Sequence, residues 1–492
     1  MFQKLFTAQQ IKEIDNQTVI KQNISSEKLM ERAATALFHQ LEKYLSKNQS
    51  VYIFCGKGNN GGDALVLARL LHLNAYKVKC LSVPFSTKSS ADYEVNLKKL
   101  QQLNFIVEKF KSGMEDLPAG SVIIDGIFGT GLSRPASGIA QQAIDFINRQ
   151  QTEVFSIDVP SGLYVDTSNR QKDSIVSADK VFTFQFPKIS FFYPENAGYV
   201  KDYEVVDIGL EQSVIDQMPT SYFLMTSGVE KMLKKRRKFD YKNTYGHALI
   251  AGGSYGMIGA VVLASKAALR IGAGLVTNLL PKCGYIISQT VVPEVMTLTA
   301  SKKKYLSEIR IPDQITAVGI GMGMGTQEEV VKAFKKFLKN YHKSLLLDAD
   351  ALNILALYPK YVDHVPPQSI MTPHPGEFKR LAGTWKNDTE KWQKLKDFAK
   401  EHQVIMVLKG AYTVITDGDY FYINPVANPA LATAGSGDVL SGIITGLLAQ
   451  KYQPLEAALL GVYLHGQTAE KYVANHRDYS MTASDIIQYL TL

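Results

Sequence analysis

Thr433-Ala434-Gly435-Ser436-Gly437-Asp438-Val439-Leu440-Ser441-Gly442-Ile443-Ile444-Thr445-Gly446 reads as a tight turn running into a buried helix. Glycines and small residues let the backbone turn sharply. The apolar run after Asp438 predicts a helix whose first turn presents unpaired N–H groups. An aligned helix end carries roughly half a positive charge, so this turn can stabilise negative charge developing on a transferring phosphoryl group. Asp438 stands at its mouth, where a carboxylate can accept a proton from an attacking hydroxyl. The same carboxylate could cap the helix and the same glycines could serve packing, and the stretch by itself leaves both readings open.

Outward from this turn, polar groups recur at predicted strand ends. The strand 247–251 runs into Gly252-Gly253-Ser254, and the strand 317–320 into Gly321-Met322-Gly323-Met324-Gly325 and then a helix over 328–339. The strand 345–347 ends at Asp348 and Asp350, and 369–371 ends at Thr372. Lys409-Gly410-Ala411-Tyr412-Thr413 joins strands 404–408 and 414–416, and a lysine and glycine at a strand end suit a nucleotide phosphate. A helix is expected over 229–235. His465, beside Gly466 on a helix, reads as core or cap with no partner nearby.

The first half alternates in the same way. Amphipathic helices over 7–44 lead to the apolar strand 51–55, the loop Gly56-Lys57-Gly58-Asn59-Asn60-Gly61-Gly62-Asp63 and a helix over 64–73. Further strands are expected at 77–83, 121–125, 153–158, 181–186 and 203–208, with helices at 91–103 and 139–149. Repeated strand–helix units predict an α/β fold with doubly wound parallel sheets, whose ligands sit at the carboxyl ends of strands. That places Asn60, Asp63, Asp125, Thr130, Asp158 and Ser161 on one rim. As a bare loop, Gly56–Asp63 is compatible with a purely structural turn or with holding a phosphate, a cation or a polar ring. The polar segment 211–226 marks the boundary, giving domains 1–218 and 219–492.

At 492 residues two domains are the starting expectation. With 46% hydrophobic and 20% charged residues, the composition is that of a globular protein rather than a disordered one. The net charge of +8 suits anionic small molecules, and no arginine–aromatic pattern argues for nucleic acid. The basic run Lys234–Lys238 reads as a solvated helix end or linker. Three cysteines without paired spacing indicate neither a disulfide framework nor a zinc site, so a cytoplasmic location is expected. No membrane segment is expected, because the long uncharged stretch 246–265 is broken by glycines and the first twenty residues lack an apolar signal core.

Two resemblances sharpen these readings. Asn428-Pro429-Ala430-Leu431-Ala432 leading into the turn at 433–440 resembles the ribokinase-like family, and specifically its NAD(P)H-hydrate dehydratase branch. Three more stretches agree with that branch in order: Gly252–Thr277, Leu347-Asp348-Ala349-Asp350-Ala351-Leu352-Asn353 and Thr372-Pro373-His374-Pro375-Gly376-Glu377. In the first half, Asn59-Asn60-Gly61-Gly62-Asp63 and Asp158-Val159-Pro160-Ser161-Gly162 resemble the NAD(P)H-hydrate epimerase family, with Ala64 where that pattern usually has glycine. Together they imply a bifunctional enzyme with a Rossmann-like N-terminal sheet and a ribokinase-like C-terminal domain. It would interconvert the R and S hydrates of NADH and NADPH and dehydrate the S epimer with ADP, releasing AMP and phosphate.

By resemblance, Asn60, Asp125 and Ser161 hold potassium, and Asp158 is the epimerase acid/base. Asn59 to Asp63, Gly129, Thr130, Gly131, Leu132, Ser133, Arg134, Pro135 and Asp158 line the hydrated nicotinamide. In the second half Ala260, Gly323, His374 and Asp438 contact the S epimer, with Met322 departing from the proline often found there. Lys409, Gly410, Ala411, Tyr412, Thr413 and Gly437 hold the nucleotide. Glu377 occupies the position that orients magnesium, and Asp438 is the base. A homo-oligomer is expected, with small-molecule partners only. A small-molecule kinase remains the alternative for the second half, and a non-catalytic binding module for the first.

Overall fold

The computed structural model describes residues 1–491. The chain divides into two compact units, one of Lys4–Thr220 with Asn387–Thr389, the other of Ser221–Lys386 and Glu390 onward with Met1–Gln3. The division thus falls between Thr220 and Ser221, with two short exchanges that a linear boundary does not capture.

In the first unit the strand Ser50–Cys55 is buried along almost its whole length, as a strand covered on both faces must be. Side chains alternate across it. Ile53 and Cys55 pack with Leu37 of the helix Ser26–Leu41 and with Leu65 and Ala68 of the helix Asn59–Leu73. Tyr52 and Phe54 pack instead with Ala143, Ile144 and Ile147 of the helix Gly138–Arg149. The seven strands run in the order Val107–Lys109, Lys77–Ser82, Ser50–Cys55, Val122–Gly126, Glu153–Ile157, Lys180–Phe184 and Tyr203–Val206, all parallel. The chain winds outward in both directions from the pair Ser50–Cys55 and Val122–Gly126. The loops after these two strands therefore part and leave a crevice between them.

The second unit repeats the device. Its sheet runs Tyr222–Met225, Phe421–Ile423, Val414–Thr416, Ile405–Leu408, Ile370–Met371, Leu346–Leu347, Ala317–Ile320, His247–Ala251, Leu275–Leu280 and Met296–Thr299. From Ile405–Leu408 to Met296–Thr299 every pairing is parallel. The winding reverses between His247–Ala251 and Ala317–Ile320, and the two glycine loops that follow these strands meet there, Gly253 N donating to Met322 O at 2.8 Å.

The helix Ser436–Ala449 lies against this sheet and the helix Ile258–Arg270. Its glycines divide into two tasks. Gly435 caps it at φ +86°, a conformation that would cost another residue about 1–2 kcal/mol. Gly442 lets the two helices touch, since a Cβ there would stand 2.0 Å from Ala264 O.

Three segments differ from the sequence expectation. The helix expected over 229–235 is a 3-10 turn, Ser227–Met232, after which Lys234 N donates to the Tyr452 hydroxyl at 2.8 Å and the basic run continues as exposed chain. Five consecutive like charges disfavour a helical turn there. The polar segment 211–226 holds a short helix, Gln212–Gln217, and the strand Tyr222–Met225, whose Tyr222 ring stacks on Phe421 at 5.3 Å. Asn59–Asp63 form the first turns of a helix and not a loop. Among the described residues no helix is long and apolar enough to cross a membrane.

Both tryptophans, Trp385 and Trp392, belong to the second unit, so their fluorescence follows its unfolding separately. Gly442→Val should destabilise that unit by about 1–3 kcal/mol through overpacking against Ala264, seen as a lower urea midpoint of the tryptophan transition. An unchanged midpoint would mean that the helices separate without strain.

Candidate active sites

In the first unit, polar groups gather where Val122–Gly126 and Glu153–Ile157 end. Asp125 is wholly buried. Its Oδ1 accepts from Ser161 Oγ at 2.5 Å and Ile127 N at 3.2 Å, and its Oδ2 from Ser156 Oγ and Ser161 N, each at 2.8 Å. Burial raises this carboxyl above its usual range, and the Ser161 hydroxyl and amide pull it part of the way back. Ser161 Oγ accepts from Phe128 N at 2.8 Å, while the Asn60 amide donates to Phe128 O at 2.8 Å and Ile157 O at 3.1 Å. Asn60 and Ser161 thus meet at the backbone of one residue, Phe128, and Ser161 carries the link on to Asp125. The atoms they assemble are carboxylate, hydroxyl, amide and carbonyl, suited to a hard cation and not to a thiophilic metal. Among the described residues no three His, Cys, Asp or Glu side chains are grouped to hold a metal.

Asn60 reaches this position because the helix begins at Asn59, earlier than the sequence suggests. Gly58 caps it without a side chain. Gly61 packs where a Cβ would lie 1.9 Å from Gly56 O, so the helix start folds directly back on the preceding turn. Asp63, one turn on, carries a carboxyl pushed well above its usual range by burial and then by Asp158, Asp15 and Asp92. Gly129 lies beside Asn60, its absent Cβ only 3.1 Å from Asn60 Cβ. Gly131, Ser133 and Arg134 are exposed and Thr130, Leu132 and Pro135 half-buried.

Asp158 follows its strand at φ +66°, strained for an aspartate. Its Oδ1 lies 2.7 Å from Lys188 Nζ and accepts from Phe184 N at 3.0 Å. Lys188 is almost fully buried and also donates to Phe186 O at 2.9 Å and Phe184 O at 3.2 Å. Sequence reasoning missed it, although it is the single charge in the apolar run 181–193. It also missed Asp15, whose carboxyl is raised to about 7 by burial first and by Asp158 second, with Lys188 opposing. Asp15 follows Ile11 by four residues and precedes Thr18 by three, which places it on the buried stripe of the helix Ala8–Lys21.

In the second unit, Asp348 is buried at the end of Leu346–Leu347. It accepts from Lys409 Nζ and Ser441 Oγ, at 2.8 and 2.7 Å. Lys409 Nζ also lies 3.9 Å from Glu377 Oε2, which accepts from His374 N at 2.8 Å. Burial works to lower the Lys409 ammonium, but the Asp348 and Glu377 carboxylates outweigh it and hold the group above its usual range. His374 caps the helix Pro375–Ala382, its Nδ1 accepting from Gly376 N at 3.0 Å.

Facing this network is the start of the helix Ser436–Ala449. Ser436 N donates to Thr433 O and Val439 N to Gly435 O, which leaves the Gly437 and Asp438 amides without a protein partner among the described residues. The Asp438 carboxyl is raised to about 7 by burial, then by Asp348, with Lys409 opposing and Asp350 adding. Asp350 Oδ2 accepts from Gly325 N at 2.8 Å, in the glycine loop that also carries Gly323. Ala260 adjoins it, its Cβ 3.4 Å from where a Gly323 Cβ would stand. His465, expected to lack a partner, has one: its Nε2 lies 3.1 Å from both Oγ and O of Ser436. Burial lowers its pKa to about 4, so the ring is neutral near pH 7.

A cavity of about 610 Å³ opens beside this helix start, lined among others by His374, Lys409, Asn424, Gly437 and His465. Gly410, Ala411 and Thr413 also line it, whereas Tyr412 does not.

A family model described as NAD(P)H-hydrate dehydratase matches residues 248–492, and one described as YjeF-related protein N-terminus matches residues 26–190. The bifunctional NAD(P)H-hydrate repair enzyme Nnr of Moorella thermoacetica is 34% identical, covering 99% of this chain and 96% of its own length. That of Coxiella burnetii is also 34% identical, covering 99% and 98%. Among solved structures, a Bacillus subtilis ADP/ATP-dependent NAD(P)H-hydrate dehydratase co-crystallised with ATP and Mg2+ is 32% identical with a TM-score of 0.47, covering 53% of this chain and 93% of that one. Since whole-length relatives pair the same two halves, the alternative of a small-molecule kinase falls, and the chain belongs to the family of bifunctional NAD(P)H-hydrate repair enzymes.

Proposed function

We propose that the first unit interconverts the R and S hydrates of NADH and NADPH and that the second dehydrates the S hydrate with ADP. Hydration of the nicotinamide C5–C6 bond leaves a hydroxyl on C6, next to the ring nitrogen. Asp438 takes the proton of that hydroxyl as its oxygen attacks the terminal phosphoryl group of ADP. The Gly437 and Asp438 amides, with Lys409, meet the charge that develops. AMP leaves, the ring nitrogen lone pair expels phosphate, and loss of the C5 proton restores the double bond. The observation that carries this reading is the Asp438 carboxyl, raised to about 7 beside two free amides and the half-buried Lys409.

Lys409 to Thr413 and Gly437 hold the nucleotide, and Ala260, Gly323, His374 and Asp438 the S hydrate. Glu377, whose carboxylate accepts from His374 N and lies near Lys409, is the residue that would hold magnesium, and the ion would offset charge on the nucleotide phosphates. In the first unit, Asn59–Asp63, Gly129–Pro135 and Asp158 line the nicotinamide. Asp158 gives a proton to the departing C6 hydroxyl and takes one from the returning water. Asn60, Asp125 and Ser161 fit potassium, which would supply positive charge at the strand ends. Cys55 and Cys80, buried free thiols in a hydrogen bond at 3.6 Å and not a disulfide, suit a reducing compartment, and we place the protein in the cytoplasm. Exposed Met296 and Leu298 on the edge strand Met296–Thr299 favour association of copies.

Asp438→Asn should lower dehydration about a hundredfold or more and leave epimerisation intact. Near-normal turnover of the S hydrate would remove the base from the mechanism. In wild type the base is competent only when ionised, so kcat/KM for dehydration should rise with pH and reach half its maximum near 7. The folded-state pKa lies above the unfolded value, so the stability this group contributes at low pH is lost between about 4 and 7. Asp438→Asn should therefore be more stable than wild type above pH 7, and a lower Tm there would contradict the assigned environment.

Replacing potassium with lithium should slow epimerisation and leave dehydration unchanged, because the smaller ion holds its water more tightly than these oxygens can replace. Equal epimerisation in both salts after exhaustive dialysis would remove the ion from the site.

A further inference from the structure

The cavity of the second unit is lined both by polar groups, Lys409 and Gly437 among them, and by the apolar Val426, Leu431, Leu440 and Val462. Asn424 belongs to the same lining. It is only 3% exposed, its backbone N donating to Thr413 O at 2.9 Å. Its side-chain Oδ1 is occluded and has no hydrogen-bond partner. Room for the amide is made by Gly466, since a Cβ there would come within 3.1 Å of Asn424 Nδ2. A buried amide oxygen left unpaired costs about 1–3 kcal/mol.

A carboxamide presents one acceptor and one donor side by side, and a half-turn about its last bond exchanges them. The matching partner is a flat ring edge with an amino group next to a ring nitrogen. Adenine offers this pair at N6 with N7, the same pairing by which asparagine recognises adenine in nucleic acids. From this geometry we infer that Asn424 reads the base of the nucleotide and selects a 6-aminopurine. The inference rests on the proposal that the cavity takes ADP, with phosphates toward Gly437 and base between Val426 and Val462. Asn424 determines specificity and has no part in the chemistry.

The experiment uses the full chain with S hydrate and compares ADP with purine riboside 5′-diphosphate, which lacks only the 6-amino group. Wild type should favour ADP at least about tenfold in kcat/KM, because the analogue leaves the amide acceptor unpaired. Asn424→Leu should raise the KM for ADP about tenfold or more, leave kcat nearly unchanged and reduce the preference to less than about threefold. Asn424→Asp, of nearly the same volume, keeps an acceptor but loses the donor; it should raise the KM for ADP while retaining the preference for the 6-amino group. The Asp variant also provides the test if the Leu variant fails to fold. A wild type indifferent to the 6-amino group, a Leu variant that keeps the full preference, or an Asp variant with the wild-type KM would each overturn the inference. Dehydration by wild type without any nucleotide would instead overturn the proposed function on which it rests.

Discussion

A helix can stabilise charge at its N-terminus only if it is held where the substrate lies, and in the second unit that position depends on the contact between Gly442 and Ala264 O. The missing Cβ brings the helix Ser436–Ala449 against Ile258–Arg270 and over the strands beneath. Ser441, one residue before the contact, thereby reaches Asp348 at 2.7 Å. Asp348 in turn fixes Lys409, and the Gly437 and Asp438 amides open onto the same space. Preorganisation of this kind spares the site the reorganisation that water would require as charge develops.

The two units answer a common electrostatic problem with similar parts. Each places a carboxylate beside a mostly buried lysine at the carboxyl end of a parallel sheet, Asp158 with Lys188 at 2.7 Å and Asp348 with Lys409 at 2.8 Å. Each then adds carboxyl groups that burial and like charges push upward, Asp15 in one and Asp438 in the other, both to about 7. Groups poised near neutral pH can both give and take a proton. The difference lies in what surrounds them. The first site is built of oxygens around Asp125, whereas the second opens into a cavity of about 610 Å³.

Most of the fold was legible because its strands are continuous apolar runs and its loops are punctuated by glycine. Ser50–Cys55 and His247–Ala251 announce themselves by composition, and in a parallel sheet the polar residue that follows such a strand falls on the ligand rim. What stayed hidden was of another kind. Lys188 becomes meaningful only once the loop after Lys180–Phe184 folds it back toward Asp158, and Asp15 only once its helix is docked. His465 acquires Ser436 from 29 residues away in sequence. The helix starting at Asn59 was read as loop because two glycines argue against a helix, while the close approach at Gly61 that requires one of them is tertiary. Asn424 carries no local signal at all, because an unpaired amide is visible only when its neighbours are known.

The central claim is that this chain holds two active sites and not one site beside a passenger. The most direct test is the progress curve of Asp158→Ala acting on an equilibrated mixture of R and S hydrates with ADP in excess. Wild type should consume both epimers in one continuous phase. The variant should convert the S fraction rapidly and then slow to the rate of spontaneous epimerisation, a biphasic curve whose fast amplitude equals the S fraction. A single phase from Asp158→Ala, faster than spontaneous epimerisation, would contradict the claim.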